Sequence, residues 1–203
     1  LAGEQGYKSI ITTNGTLLHE RKEVLLASGI HKVNISLHSF EDGNDVNHIQ
    51  YIEHLADFAK SAADTGTIVN FRLWNKGYDN GKNKFALQIL KENISGDWTP
   101  TSHGMQIRDK VFIEMNERFE WPDSEADVKG TRFYCYGLKD QFGILADGTV
   151  VPCCLDSDGI ISLGNIFTQD VNEILGSERA RAMVEGFCRG NDGCIRISLD
   201  KIH

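Results

Sequence analysis

Residues 32 to 74 carry the pattern that most restricts the fold: two short segments of alternating apolar and polar side chains, separated by a long segment of helical period. In Lys32 to His38, Val33, Ile35 and Leu37 fall on one face of a strand, with Asn34, Ser36 and His38 on the other. Asp45 to Asp64 sets Ile49, Ile52, Leu55, Ala56, Phe58, Ala59 and Ala62 on one stripe and stops near Gly66, which predicts a helix. Ile68 to Trp74 alternates again, Val69, Phe71 and Leu73 against Asn70, Arg72 and Trp74. Strands joined by a helix of this length pair in parallel through a right-handed crossover.

The same rhythm extends in both directions. Ser9 to Thr13 is a β-branched run ended by the turn pair Asn14-Gly15, and Leu17 to Ser28 is a helix with a charged face that stops at Gly29. Beyond Asn75 the regularity gives way to a glycine- and asparagine-rich stretch to Lys82. A short helix at Lys84 to Asn93 follows, then a turn-rich segment to Gly104 and a strand at Lys110 to Met115. The polar connector Trp121 to Gly130 places a boundary between a domain of residues 1–128 and one of residues 129–203.

The inner faces of the two strands are unusually polar. Bulky aliphatics normally fill the inside of a parallel barrel. Asn34, Ser36 and His38 beside Asn70 and Arg72 would be costly to bury dry, and instead fit the wall of a ligand cavity. The competing interpretation is a sheet with one solvated face. His38 reads as a satisfied structural residue, Glu114 and Glu117 read as surface carboxylates, and no residue stands out as a catalytic acid, base or nucleophile.

All five cysteines lie in the last third, at 135, 153, 154, 188 and 194, and the first 134 residues contain none. An odd, clustered set is unlike a secreted disulfide framework and points to metal ligation or reactive thiols. Phe142 to Cys153 contains Asp147-Gly148 between β-prone runs. A two-residue turn there pairs Ala146 with Thr149 and Phe142 with Cys153, returning Cys153 toward Cys135. Strand alternation turns Cys153 and Cys154 to opposite faces, so the candidate ligands are Cys135, one of Cys153 and Cys154, Cys188 and Cys194. Asp170-Val-Asn-Glu173 opens helical segments carrying Val171, Ile174, Leu175, Ala180, Met183 and Val184, which would pack on the hairpin. Four thiolates suit a 4Fe-4S cluster or zinc; the absence of a close cysteine pair favours iron and sulfur, and unliganded core cysteines are the third alternative.

Thr12-Thr-Asn-Gly15, Asn34-Ile-Ser-Leu-His-Ser39 and a strand with Arg72 together resemble the later half of a radical S-adenosylmethionine (radical SAM) barrel. Cys135, Gly148, Cys153, Gly164-Asn165-Ile166 and the terminal cysteines resemble the auxiliary-cluster domain called SPASM or, in its shorter form, twitch. The resemblance implies an α/β fold: the later strands and helices of a partial (β/α)6 barrel, followed by a small domain of β-hairpin and helix. It implies Thr13, Asn14, Ser36 and Arg72 as S-adenosylmethionine contacts, and Cys135, Cys153, Cys188 and Cys194 as ligands of one auxiliary 4Fe-4S cluster, the twitch arrangement. The family's three-cysteine loop and Gly-Gly-Glu segment do not occur in these 203 residues, so the expectation is a chain that begins partway through the barrel and is inactive alone.

The implied activity is that of an oxidoreductase that cleaves S-adenosylmethionine to a 5′-deoxyadenosyl radical, which abstracts hydrogen from a peptide or small metabolite. The alternative is a zinc-stapled, non-catalytic binding module. A net charge of −8 from 21 basic and 29 acidic residues argues against nucleic acid as partner. No apolar run reaches the ~20 residues of a membrane span, and the expected location is the cytoplasm. An exposed barrel edge would favour pairing with another chain.

Overall fold

The computed structural model describes residues 3–39, 45–79, 81–118 and 136–188. The chain divides into two compact units, Leu1–Phe119 and Glu120–His203. The expected boundary at 128/129 lies outside the described residues.

The first unit is an α/β sheet built from β1 (Ile10–Thr13), α1 (Leu18–Ala27), β2 (Lys32–Ser36), α2 (Asp45–Asp64), β3 (Ile68–Lys76) and α3 (Lys82–Asn93), followed by β4 (Thr99–Thr101), β5 (Gly104–Arg108) and β6 (Val111–Glu117). The spatial order is β1-β2-β3-β6-β5-β4. Its first three pairings are parallel, the last two antiparallel. Each of the three parallel neighbours is one step further along the sheet in the same direction.

The apolar alternation decides which face the helices cover. Val33, Ile35, Val69, Phe71, Leu73 and Ile113 form a single buried cluster with Ile52, Leu55, Phe58 and Ala59 of α2 and with Ile89 and Leu90 of α3. Helix α2 keeps the bounds its period predicts, since its stripe from Ile52 to Ala62 is fully enclosed. Ile49 departs from that stripe and is exposed, while His48 and Tyr51 of the same turns are buried. Lys22 Nζ reaches Asp57 Oδ2 at 2.7 Å, joining α1 to α2, and this hydrogen bond holds the Asp57 carboxyl below its ordinary range.

Two expectations about this sheet need correction. The β2 strand ends at Ser36, and a 3-10 turn follows over Leu37–Ser39, so His38 is not a strand residue. Its Nδ1 sits 3.0 Å from the Arg72 carbonyl oxygen and 3.4 Å from the Trp74 amide nitrogen, so the main chain of β3 holds the ring. The segment before Gly104 is not merely turns: Thr99–Thr101 and Gly104–Arg108 pair as a hairpin and extend the sheet past β6. The irregular stretch after β3 is anchored by a reciprocal amide pair. Asn75 Nδ2 donates to Asn83 Oδ1 at 3.2 Å, and Asn83 Nδ2 donates to Asn75 Oδ1 at 2.8 Å.

The second unit is small. Strands β7 (Gly143–Ile144), β8 (Thr149–Val151) and β9 (Gly164–Asn165) form an antiparallel sheet, with α4 (Val171–Leu175) and α5 (Glu178–Cys188) after it. Val150, Leu163, Ile174 and Ala180 are its buried centre, so the helices pack on the hairpin. Asp170 caps α4 by accepting from the Asn172 amide at 2.8 Å. The hairpin register is one residue off the expected one. Gly143 pairs with Val151 and Ile144 with Val150, while the Leu145 amide donates to the Thr149 carbonyl at 2.8 Å. The loop therefore has three residues, Ala146-Asp147-Gly148, with Gly148 at φ +85°, the left-handed closing position of such loops.

Candidate functional site

On the face opposite the helices, parallel register lines up Thr12, Asn34 and Asn70 in one row and Ser36, Arg72 and Glu114 in the next. Asn34 Nδ2 donates to Thr12 Oγ1 at 3.3 Å, and Asn70 Nδ2 lies 3.4 Å from Asn34 Oδ1 and 3.0 Å from Glu114 Oε2. Asn34 and Asn70 are buried, so these bonds offset a desolvation cost that unpartnered amides would bear in full. A polar ladder thus crosses four strands.

Arg72 stands at its upper end. Its Nε is 3.5 Å from Glu114 Oε2, an ion pair by distance whose geometry makes no hydrogen bond, and its guanidinium carbon lies 4.5 Å from the centroid of the Trp74 ring. Arg72 Nε and Trp74 Nε1 are both buried donors without an acceptor among the described residues. Orphaned buried donors cost on the order of 1–3 kcal/mol each, and an acceptor group from a ligand would recover that cost.

The other three residues implied as S-adenosylmethionine contacts divide between the two faces. Ser36 is the register partner of Arg72. Thr13 pairs with Ile35 and so shares strand parity with the helix-covered face, while its neighbour Thr12 belongs to the polar row. Thr13 Oγ1 accepts from the Gly15 amide at 3.1 Å, and Asn14 Oδ1 accepts from the Thr16 amide at 3.2 Å, so both side chains shape the turn after β1. Gly15 is confined there by its φ of +82° and by contact: a Cβ would lie 2.7 Å from Leu55 Cδ2. The buried Tyr51 hydroxyl donates to the Asn14 carbonyl, and burial pushes its pKa well above the usual phenol value.

Two residues on this face were not singled out by the sequence. Thr12 follows from strand parity, which the row of Asn34 and Asn70 extends across the sheet. Glu114, expected at the surface, is instead half-buried and tied to Asn70 and Arg72. Beside it, Lys32, Ile68, Asn70, His103, Phe112 and Glu114 help to line a cavity of about 300 Å³.

In the second unit, Cys153 lies two residues beyond β8 and is buried, and Cys154 is exposed. The Leu138 amide donates to the Pro152 carbonyl at 3.2 Å, so the segment entering the domain runs beside the residue preceding Cys153. Cys135, Cys194 and the side chain of Cys188 lie outside the described residues. Among the described residues no three His, Cys, Asp or Glu side chains are grouped as a metal ion would require, and no helix is long and apolar enough to cross a membrane.

Gly148 packs this unit closed. A Cβ there would meet the Phe167 ring at 2.6 Å and Asn165 Oδ1 at 2.8 Å, while Asn165 Nδ2 donates to the Asp147 carbonyl at 2.9 Å. Gly148 and Asn165, two positions of the pattern singled out in the sequence, are therefore packed against each other.

Comparison with known proteins bears on this unit. Residues 135–196, which enclose all five cysteines, match the family model of SPASM, an iron-sulfur cluster-binding domain. That segment lies wholly within the carboxy-terminal unit and is similar in sequence to SPASM-type iron-sulfur cluster-binding domains. No curated protein matches the chain in sequence. A solved structure, selenomethionine BtrN in an open conformation, aligns over 88% of this chain and 85% of its own at 14% identity, with a TM-score of 0.30. A superposition that loose carries no reading of fold or activity across to this chain.

Proposed function

We propose that the chain is part of a radical SAM iron-sulfur oxidoreductase, in which the parallel strands are the later portion of a partial (β/α)6 barrel and the SPASM-type unit holds one auxiliary 4Fe-4S cluster. The observation that carries this reading is the match over residues 135–196 enclosing every cysteine, with Cys153 buried and Cys154 exposed. A tetra-thiolate set drawn from Cys135, Cys153, Cys188 and Cys194 has the chemistry that such a cluster takes. Cys154 is then left outside it.

The sequential parallel strands with helices on one face support a barrel, and the polar row on the other face supports a ligand-bearing interior. S-adenosylmethionine, bound with a reducing cluster, supplies a 5′-deoxyadenosyl radical for hydrogen abstraction from a peptide or small metabolite. The residues here bind and orient. The orphaned Arg72 Nε fits a carboxylate, Ser36 stands beside Arg72 in register, and Thr13 ends β1 with Asn14 opening the turn after it, where parallel barrels gather their ligands. The sequence lacks a three-cysteine loop, so the 203 residues alone would not perform the cleavage. The free edge of β1, with Ile10 exposed, is where pairing with another chain is expected. A cytoplasmic setting suits oxygen-sensitive thiolate ligation.

The test is metal and sulfide analysis of the chain prepared without oxygen. Iron with equimolar sulfide supports the reading. One zinc per chain, with neither iron nor sulfide, would instead favour a zinc-stapled binding module.

A further inference from the structure

Beside the ladder, the cavity formed by β2, β3, β6 and the β4–β5 turn presents one ammonium and one carboxylate oxygen that have no partner among the described residues. Glu114 accepts from Asn70 and faces Arg72 through Oε2 alone; its Oε1 has no partner among the described residues. Lys32 Nζ, at the start of β2, forms no ion pair or hydrogen bond among the described residues. Between them the floor is Ile68 and Phe112, and Asn70 is fixed in the wall.

Register sets how far apart these charges can be. Ile68 pairs with Lys32, and Val69 with Val111, so Glu114 stands four residues further along and two strands across. At ~3.3 Å per residue and ~4.8 Å per strand, the two Cα atoms are roughly 16 Å apart. Extended Lys and Glu side chains close part of that gap and leave room for one small molecule rather than a direct salt bridge. A volume of about 300 Å³ is at the lower limit of ligand pockets and admits an occupant of amino-acid size.

We propose that this cavity binds the zwitterion of a free α-amino acid, its carboxylate toward Lys32, its ammonium toward Glu114 Oε1, and its side chain on Ile68 and Phe112. A site with one unpaired ammonium and one free carboxylate oxygen gains from a ligand bearing both charges, and a ligand bearing only one leaves the other group unmatched. The inference does not depend on the radical SAM reading, because it involves neither a cluster nor S-adenosylmethionine.

The experiment is isothermal titration of the full 203-residue chain, without added S-adenosylmethionine or metal, using the twenty standard amino acids as probes. Those that bind are then tested as their N-acetyl and carboxamide derivatives. The expected result is saturable one-to-one binding favouring apolar side chains, weakened at least tenfold in each derivative and in Glu114→Gln and Lys32→Met. The derivatives keep the proposal testable on unmodified protein if either variant folds poorly. Absence of saturable binding by every probe would overturn it, as would derivatives that bind as tightly as the parent amino acid. Iron content plays no part in the readout, so failure here leaves the cluster assignment standing and success does not establish it.

Discussion

Asn70 and Glu114 are joined across β3 and β6 by a 3.0 Å hydrogen bond from Nδ2 to Oε2, on the face turned away from every helix of the sheet. That contact ties a buried amide to a carboxylate that also faces Arg72, so the polar row behaves as one unit. Asn70→Leu removes the donor to Glu114 and the link to Asn34. It is expected to destabilise the chain by about 1–3 kcal/mol in urea unfolding. Glu114→Gln keeps an acceptor for Asn70 and should cost less; wild-type stability in Asn70→Leu would mean that the row contributes nothing to the fold.

Tyr51 fastens α2 to the turn after β1 through the Asn14 carbonyl. Tyr51→Phe should lose about 1 kcal/mol, the usual net worth of one hydrogen bond. The pH dependence follows from the raised phenol pKa. The folded state favours neutral Tyr51, so its contribution is fully present below the ordinary phenol value near ~10 and declines as pH rises above it. Wild type should therefore lose more stability than Tyr51→Phe between pH 9 and about 11. Parallel decline of the two proteins would contradict the assignment.

Gly148 combines a left-handed backbone with close contact to Phe167. Gly148→Ala adds about 1–2 kcal/mol of backbone strain and a further ~1–3 kcal/mol of overpacking. Thermal unfolding should show a markedly lower transition for the carboxy-terminal unit. A shift of under about 1 °C would show that the loop relaxes freely.

With reductant and S-adenosylmethionine, the 203-residue chain should yield no 5′-deoxyadenosine by liquid chromatography, because its sequence holds no three-cysteine loop. Stoichiometric or catalytic release of that nucleoside would require a second cleavage site in these residues and would overturn this part of the account.

The elements most legible in the sequence are those in which one period dominates. Helix α2 and the alternating strands on either side of it follow from where Ile52, Leu55, Phe58, Val33, Ile35, Val69 and Phe71 fall, because each burial decision repeats the last. The β4–β5 hairpin was hidden because Thr99-Pro-Thr101 is short and exposed and Gly104 reads as a turn residue. Asp147-Gly148 announces a hairpin without fixing its loop length. Two- and three-residue loops both accept it, and the choice moves the register by one. Glu114 shows the limit for the site: a lone carboxylate near a strand end is ordinary surface until register places it beside Arg72 and Asn70. Cys153 and Cys154 differ in burial as alternation predicts, although the chain has already left β8 where they stand.

The central claim is that the cysteines of residues 135–196 hold an iron-sulfur cluster to which Cys153 contributes and Cys154 does not. The most direct measurement is iron, sulfide and zinc per chain in anaerobically prepared wild type, Cys153→Ser and Cys154→Ser. The account predicts about four iron and four sulfide in wild type and Cys154→Ser, with most of both lost in Cys153→Ser. Zinc in place of iron, or equal iron retention in the two variants, would contradict it.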